Sequence, residues 1–140
     1  MTDAPVRVLL CDDHAVVRAG LRALLSSTPG IEVAGEAATG EEAVAQAAEL
    51  RPHVVLMDLQ LGTASGQAVP GMDAFETTAR ITAELPDTHV LVLTTYDTTD
   101  ADVTRAIAAG AAGHLLKAER PEILFTAIRA AAAGRPSQRW

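Results

Sequence analysis

Apolar and polar positions along the chain fall into two alternating kinds of segment. Short runs rich in Val and Leu stand at Val6–Cys11, Ile31–Ala37, His53–Met57, His89–Leu93 and Gly113–Leu116. Runs of that length with few polar interruptions read as strands buried on both faces. Longer Ala-rich segments separate them, at Ala15–Ser26, Gly40–Leu50, Met72–Glu84, Asp100–Ala109 and Pro121–Ala133. These carry helical spacing, which puts Val16, Leu21, Leu24 and Leu25 on one side of the first. Strands alternating with helices predict an α/β fold, a five-stranded parallel sheet with helices on both faces. The stops agree: Gly30, Gly35, Gly110 and Gly113 sit near predicted element ends, and Pro52 and Pro86 follow helical segments.

Leu61–Gly71 breaks this rhythm, with turn-forming and small polar residues and no clear period. Strand-to-helix connections in such folds usually take about 2–6 residues, so this one is long. Composition narrows the picture further. The 140 residues suit one domain, and hydrophobic residues at 49% against aromatics at 3% call for a core of Ala, Val, Leu and Ile. A net charge of −7 argues against a nucleic-acid surface spread over the chain and favours a local acidic cluster that gathers a cation. Cys11 is the single cysteine, so no intrachain disulfide can form, and its apolar run marks it as a buried thiol. The start Met-Thr-Asp-Ala-Pro has no basic region followed by a long apolar stretch. No run reaches the roughly 18 apolar residues of a membrane span. These features predict a cytoplasmic protein with no membrane partner.

The polar residues at strand ends carry the chemistry. Asp12 and Asp13 follow the first predicted strand and Asp58 the third, while Thr94 closes the fourth and Lys117 the fifth. All lie at C-terminal strand ends, the edge where open α/β sheets bind ligands. If strands one and three are neighbours, their acids converge. Converging carboxylates raise one another's pKa, and a divalent cation removes the conflict. Few oxygen ligands plus retained waters suit Mg²⁺, and no His/Cys spacing suggests zinc. An Asp can attack phosphorus to give an acyl phosphate, with a Lys ammonium and a Thr hydroxyl disposed to meet the phosphoryl oxygens. Each residue also has a duller reading. An Asp after a strand is often a helix N-cap, a lone Thr a turn residue and a lone Lys a solvated charge. Joint placement at four strand ends favours the chemical reading.

Four segments carry a resemblance: Val-Leu-Leu-Cys-Asp-Asp-His (8–14), Val-Val-Leu-Met-Asp-Leu (54–59), Leu-Thr-Thr-Tyr-Asp (93–97) and Gly-His-Leu-Leu-Lys (113–117). In that order they resemble the receiver domains of two-component response regulators over nearly the whole chain. Residues 13–25 are similar to the NarL/FixJ branch, whose output domain is a LuxR-type helix-turn-helix. The resemblance implies the doubly wound, flavodoxin-like receiver fold with strand order 2-1-3-4-5. It implies that Asp58 accepts a phosphoryl group from a sensor histidine kinase. Asp13, Asp58 and the backbone carbonyl of Gln60 would hold Mg²⁺ (or Mn²⁺ in its place), with Asp12 helping through water. Thr94 would turn inward to the phosphoryl group and Lys117 would pair with it. The implied protein is a phosphoacceptor regulatory domain, not an enzyme, that assists its own phosphotransfer and dephosphorylation. It would form a homodimer on phosphorylation and control an output, in this branch transcription. Residues 1–134 would be the receiver and 135–140 the start of a linker or a tail, with DNA contacted only through an output domain absent from the chain.

Three departures stand out. Pro70–Asp73 matches a stretch that the family places soon after the acceptor, but here it falls about eight residues later. The extra loop reads either as a tolerated surface insertion or as a lid over Asp58. His114 occupies the switch position where the family usually has Tyr or Phe, either packing as a smaller ring or adding sensitivity to pH. Ala118 follows Lys117 where a Pro is common, and Pro121 reads as a helix-start proline. Three rival functions fit less well. An Asp-nucleophile phosphatase would place a second Asp where Gln60 stands. A receiver working without phosphorylation is favoured only by the displaced loop. A flavodoxin-like electron carrier would not put acids where a cofactor phosphate sits.

Overall fold

The computed structural model describes residues 4–64, 67–68 and 71–134. Ten main elements alternate: β1 (Val6–Cys11), α1 (Ala15–Ser26), β2 (Ile31–Ala37), α2 (Gly40–Leu50), β3 (Val54–Asp58), α3 (Ala74–Glu84), β4 (His89–Thr94), α4 (Asp100–Ala108), β5 (Gly113–Leu116) and α5 (Pro121–Ala132). The five strands pair in parallel in the order β2-β1-β3-β4-β5, the order that the resemblance implied.

Side chains alternate across this sheet because successive Cβ atoms point to opposite faces. Val8, Leu10, Val54, Leu56, Leu91 and Leu93 join Leu25 of α1 and Leu124 and Ile128 of α5 in one cluster. Leu9, Cys11, Val55, Met57, Val90 and Val92 join Ala43 and Ala47 of α2, Ala74 and Ile81 of α3, and Ala106 of α4 in the other. Two helices therefore cover one face and three the other. The Ala residues let the three-helix layer sit close to the sheet, which is how a core with so few aromatics fills its volume.

Predicted boundaries shift slightly, each for a visible reason. The third strand begins at Val54 rather than His53. His53 instead anchors the strand entry, donating its N–H to the Arg7 carbonyl at 2.9 Å while its Nδ1 accepts from the Arg7 N–H at 2.8 Å. Asp58 is consequently the last residue of the strand, in register with Leu93, not the first beyond it. The third helix begins at Ala74 rather than Met72, because the Asp73 carboxylate caps it by accepting from the Glu76 N–H at 2.9 Å. α4 opens with a reciprocal capping box between Thr99 and Asp102.

Part of the Leu61–Gly71 loop forms a short antiparallel ribbon, Thr63–Ala64 against Gln67–Ala68. Residues 65, 66, 69 and 70, and the expected linker or tail at 135–140, lie outside the described residues. The two ends of the loop are held together: the Ala74 N–H donates to the Leu61 carbonyl at 3.2 Å. Gly62, with φ +83°, lies so close to Asp73 that a Cβ would come within 2.6 Å of its Cα. Leu61 and Gly62 thus stand beside Asp73 and Ala74 at one narrow base, and the strand that carries Asp58 is undisturbed.

Two glycines should respond oppositely to alanine. Gly62→Ala meets both the backbone conformation and Asp73, and should lower stability by about 1–3 kcal/mol. Gly20 lies inside α1, and a methyl group added there would have no neighbour within 4 Å, so Gly20→Ala should gain about 0.5–1 kcal/mol. Urea unfolding of the two variants checks both signs.

Candidate functional site

The sheet order decides what meets at its C-terminal edge. β1 and β3 are neighbours with Cys11 in register with Met57, so the next residues, Asp12 and Asp58, stand side by side. Both are buried, at 1% and 0% exposure. β5 lies two strands from β3, yet the Lys117 side chain reaches back across the edge. Its Nζ is 3.0 Å from Asp58 Oδ1 and 3.2 Å from Asp12 Oδ2. The main chain of Lys117 is fixed by donating its N–H to the Thr94 carbonyl at 2.8 Å.

The duller readings of these residues fail on geometry. The N-cap of α1 is His14, not either Asp, and the Asp12 carboxylate instead accepts the His14 N–H at 2.8 Å. Asp58 caps no helix, and its Oδ1 accepts the Gln60 N–H at 3.0 Å. Lys117 is no free surface charge. Thr94 is buried at the end of β4, and its hydroxyl donates to the Leu115 carbonyl of β5 at 3.2 Å, so the conformation described holds it on the neighbouring strand. His114 lies half-buried in β5, in register with Val92.

The electrostatics are unbalanced. Asp12, Asp13 and Asp58 with His14 place one potential ligand atom each within 4.8 Å of one another. Three carboxylates, those of Asp12, Asp13 and Asp58, lie around one ammonium, that of Lys117. Burial pushes the Asp58 carboxyl above its usual range, and the Asp12 charge adds to this. The Gln60 N–H and Lys117 pull it back only in part. For Lys117, burial alone would lower the pKa, but the Asp58 and Asp12 carboxylates outweigh it and hold the ammonium above its ordinary value. Cys11, just beneath, is a buried thiol pushed upward by burial and by the same acids, which suits inert packing. Asp58 Oδ2 is the informative atom: it is buried and has no hydrogen-bond partner. A buried carboxylate oxygen left so is costly, about 1–3 kcal/mol, and polar atoms of this kind mark where a ligand or ion belongs. The donor set, all hard carboxylate oxygen apart from His14, fits a divalent cation that balances the charge deficit.

Sequence reasoning missed two neighbours of the acids. His14 Nδ1 lies 3.2 Å from Asp12 Oδ1 and 3.0 Å from Asp13 Oδ1. The adjacency Asp-Asp-His was the available signal. Arg18, one helical turn further on, donates from its guanidinium to the Asp12 carbonyl at 2.6 Å and pairs with Glu36 at 3.3 Å, which ties the acid loop to β2.

Two buried carboxylates on adjacent strands, bridged by one lysine, thus meet at the C-terminal edge of an α/β sheet ordered 2-1-3-4-5. Comparison with known proteins agrees, and the chain belongs to the response regulator receiver domain family, whose model matches residues 8–129. It is 46% identical over 131 residues to the transcriptional regulatory protein LiaR of Bacillus subtilis, covering 94% of this chain and 58% of that protein. It is 39% identical over 129 residues to the response regulator protein VraR of Staphylococcus aureus, covering 92% of this chain and 57% of that one. The chain thus spans a little under three-fifths of these relatives. The receiver domain of the response regulator NarL from Mycobacterium tuberculosis superposes with a TM-score of 0.82 at 34% identity, covering 95% of this chain and all of that one.

The strain at Asp58 generates a stability prediction. Because its folded pKa is raised, the charge costs stability that is fully lost above the folded pKa and restored as pH falls below the ordinary carboxylate value of about 4. Asp58→Asn should therefore stabilise the metal-free protein at pH 7 by about 1–2 kcal/mol, with the advantage shrinking on acidification. Thermal unfolding in EDTA between pH 7 and pH 4.5 measures it.

Proposed function

We propose that this receiver is a phosphorylation-controlled switch in which Asp58 takes a phosphoryl group from a phosphohistidine of a sensor histidine kinase. The observation that carries the reading is the division of labour within one carboxylate. Asp58 Oδ1 is held by Lys117 and the Gln60 N–H, while Oδ2 has no partner. Lys117 and Gln60 orient the group, and Oδ2 is left as the nucleophile. It attacks phosphorus, a P–O bond forms, the P–N bond breaks and the imidazole leaves with the electron pair. Mg²⁺, the ion of this family, would be held by Asp13, Asp58 and the Gln60 carbonyl, with Asp12 through water. When bound it neutralises charge on the phosphoryl oxygens. Lys117 meets the same charge from the other side.

The acyl phosphate adds about one negative charge and three acceptor oxygens. Thr94 then exchanges its bond to the Leu115 carbonyl for one to a phosphoryl oxygen, and His114, on the paired strand, follows into the space it vacates. α4 shifts with them, and the change is read by a homodimer surface and an output controlling transcription. In this reading the domain is regulatory rather than an enzyme and acts in the cytoplasm. None of the described helices is long and apolar enough to cross a membrane. Residues 1–134 form the receiver, and DNA is reached through a domain beyond residues 135–140. With the Ala74 N–H bonded to the Leu61 carbonyl, we read the extra residues as a tolerated insertion rather than a lid.

Intact mass after incubation with acetyl phosphate and Mg²⁺ should show one added phosphoryl group on the wild type. None should appear on Asp58→Asn or in EDTA, and an unmodified wild type would refute the reading. Deleting Thr63–Val69 should leave the rates of phosphorylation and dephosphorylation within about twofold, since the bond between Ala74 and Leu61 survives. A larger change would restore the lid.

A further inference from the structure

Asp12 is held on several sides, and one of its holders comes from outside the acid cluster. Its N–H donates to the Ala37 carbonyl of β2 at 3.1 Å, its Oδ1 accepts the His14 N–H at 2.8 Å, and its Oδ2 meets Lys117 Nζ at 3.2 Å. The Asp12 carbonyl accepts from Arg18 Nη1 at 2.6 Å. That carbonyl belongs to the peptide unit that enters Asp13. A peptide unit is planar, so fixing its carbonyl also fixes the direction in which the Asp13 Cα and Cβ leave. Arg18 therefore acts on both acids through the main chain. Its place in the first turn of α1 suits this, because helical side chains lean toward the N-terminus. The guanidinium is anchored in turn: its Nε pairs with Glu36 at 3.3 Å, and Arg22 Nη1 holds the same carboxylate at 2.6 Å. The Arg18 and Glu36 side chains are only 20% and 23% exposed, so water competes weakly for these charge-assisted bonds. Arg22 by itself already ties α1 to β2. What Arg18 adds is the bond to the Asp12 carbonyl.

We propose that Arg18 is a positioning residue of the metal site: by holding the Asp12–Asp13 peptide it keeps both carboxylates aimed at one ion, and so sets the affinity for Mg²⁺ rather than the rate of phosphoryl transfer once the ion is bound. The inference rests on the metal-dependent receiver reading above and deepens it. Arg18 has two effects of opposite sign. Its positive charge opposes a cation nearby, while its bond to the Asp12 carbonyl orders the acids that would receive one. The charge is the smaller effect, since Glu36 neutralises much of it at 3.3 Å. Loss of a bond that orients metal ligands typically costs about 10–100-fold in metal affinity. Ordering therefore prevails, and this decides the sign of the test: removing the guanidinium weakens Mg²⁺ binding although it also removes a repelling charge.

The test is calorimetric titration of the whole chain with MgCl₂, for wild type, Arg18→Met, Arg18→Ala, Arg18→Lys and Arg22→Ala. The rate of phosphorylation by acetyl phosphate is followed in parallel from low to saturating Mg²⁺. Urea unfolding in EDTA establishes which variants fold, and one folded truncation of Arg18 is enough. That truncation should bind Mg²⁺ about tenfold more weakly, yet reach a maximal rate within about threefold of wild type once Mg²⁺ saturates. Arg18→Lys keeps an ammonium donor for the carbonyl and should recover the affinity to within about threefold. Arg22→Ala, which loses an exposed partner of Glu36, should change it by less than about twofold. Affinity that is unchanged or tighter in the truncations would leave Arg18 acting by charge alone. A maximal rate that falls while affinity holds would place it in the transfer step. An equal loss in Arg22→Ala, no recovery with lysine, or failure of both truncations to fold would make it a structural tie. Each of these results overturns the proposal. A wild type that binds Mg²⁺ and takes up the phosphoryl group whatever stands at position 18 removes the Arg18 assignment alone. A wild type that binds no Mg²⁺ removes the metal reading itself.

Discussion

One ammonium group holds the functional edge of this protein together. Lys117 Nζ is shared between Asp58 at 3.0 Å and Asp12 at 3.2 Å, joining residues from β5, β3 and β1. Two buried carboxylates on adjacent strands would otherwise repel, in surroundings where water does little to screen them. The lysine makes their convergence tolerable but leaves the charge unbalanced, and that imbalance is what a divalent cation and a phosphoryl group can use. Asp58 sits at a cost to stability, since its buried Oδ2 has no hydrogen-bond partner.

Everything around this contact is arranged to hold still. The sheet is buried on both faces by two separate clusters, so the strand ends cannot drift independently. Arg18 binds the Asp12 carbonyl, and the Ala74 N–H closes the base of the loop after Asp58. The Thr94 hydroxyl donates a 3.2 Å hydrogen bond to the Leu115 carbonyl. α4 is linked to α3 through Arg105, stacked 4.1 Å over Phe75 and 3.9 Å from Asp73. Exposed contacts of the Arg105 kind are worth about 1 kcal/mol or less.

Two residues changed meaning once their neighbours were known. Asp12 reads in sequence as an ordinary residue before a helix, yet its two oxygens are divided between Lys117 and His14. His14 reads as the residue that happens to follow two acids, and it becomes a fourth member of their cluster. The extra loop changed in the other direction. Its length left open a tolerated insertion or a lid, and its two ends are held together by the bond from the Ala74 N–H to the Leu61 carbonyl.

Periodicity in the sequence sufficed for the ten main elements, because strands buried on both faces and one-sided helices leave different patterns of apolar residues. It also placed Asp12, Asp13, Asp58, Thr94 and Lys117 at strand ends, since each follows directly on an apolar run. The limits of elements were less legible: whether Asp58 ends β3 or follows it depended on pairing with Leu93, a long-range hydrogen-bonding matter. Strand order came from resemblance, because local pattern carries no information on which strands pair. What only the tertiary structure decided were contacts across the sheet. These were the reach of Lys117 to β3 and β1, the present bond of Thr94 to Leu115, and the approach of His14 to the acids. Such distances depend on register and side-chain direction summed over the whole fold, and no window of sequence contains them.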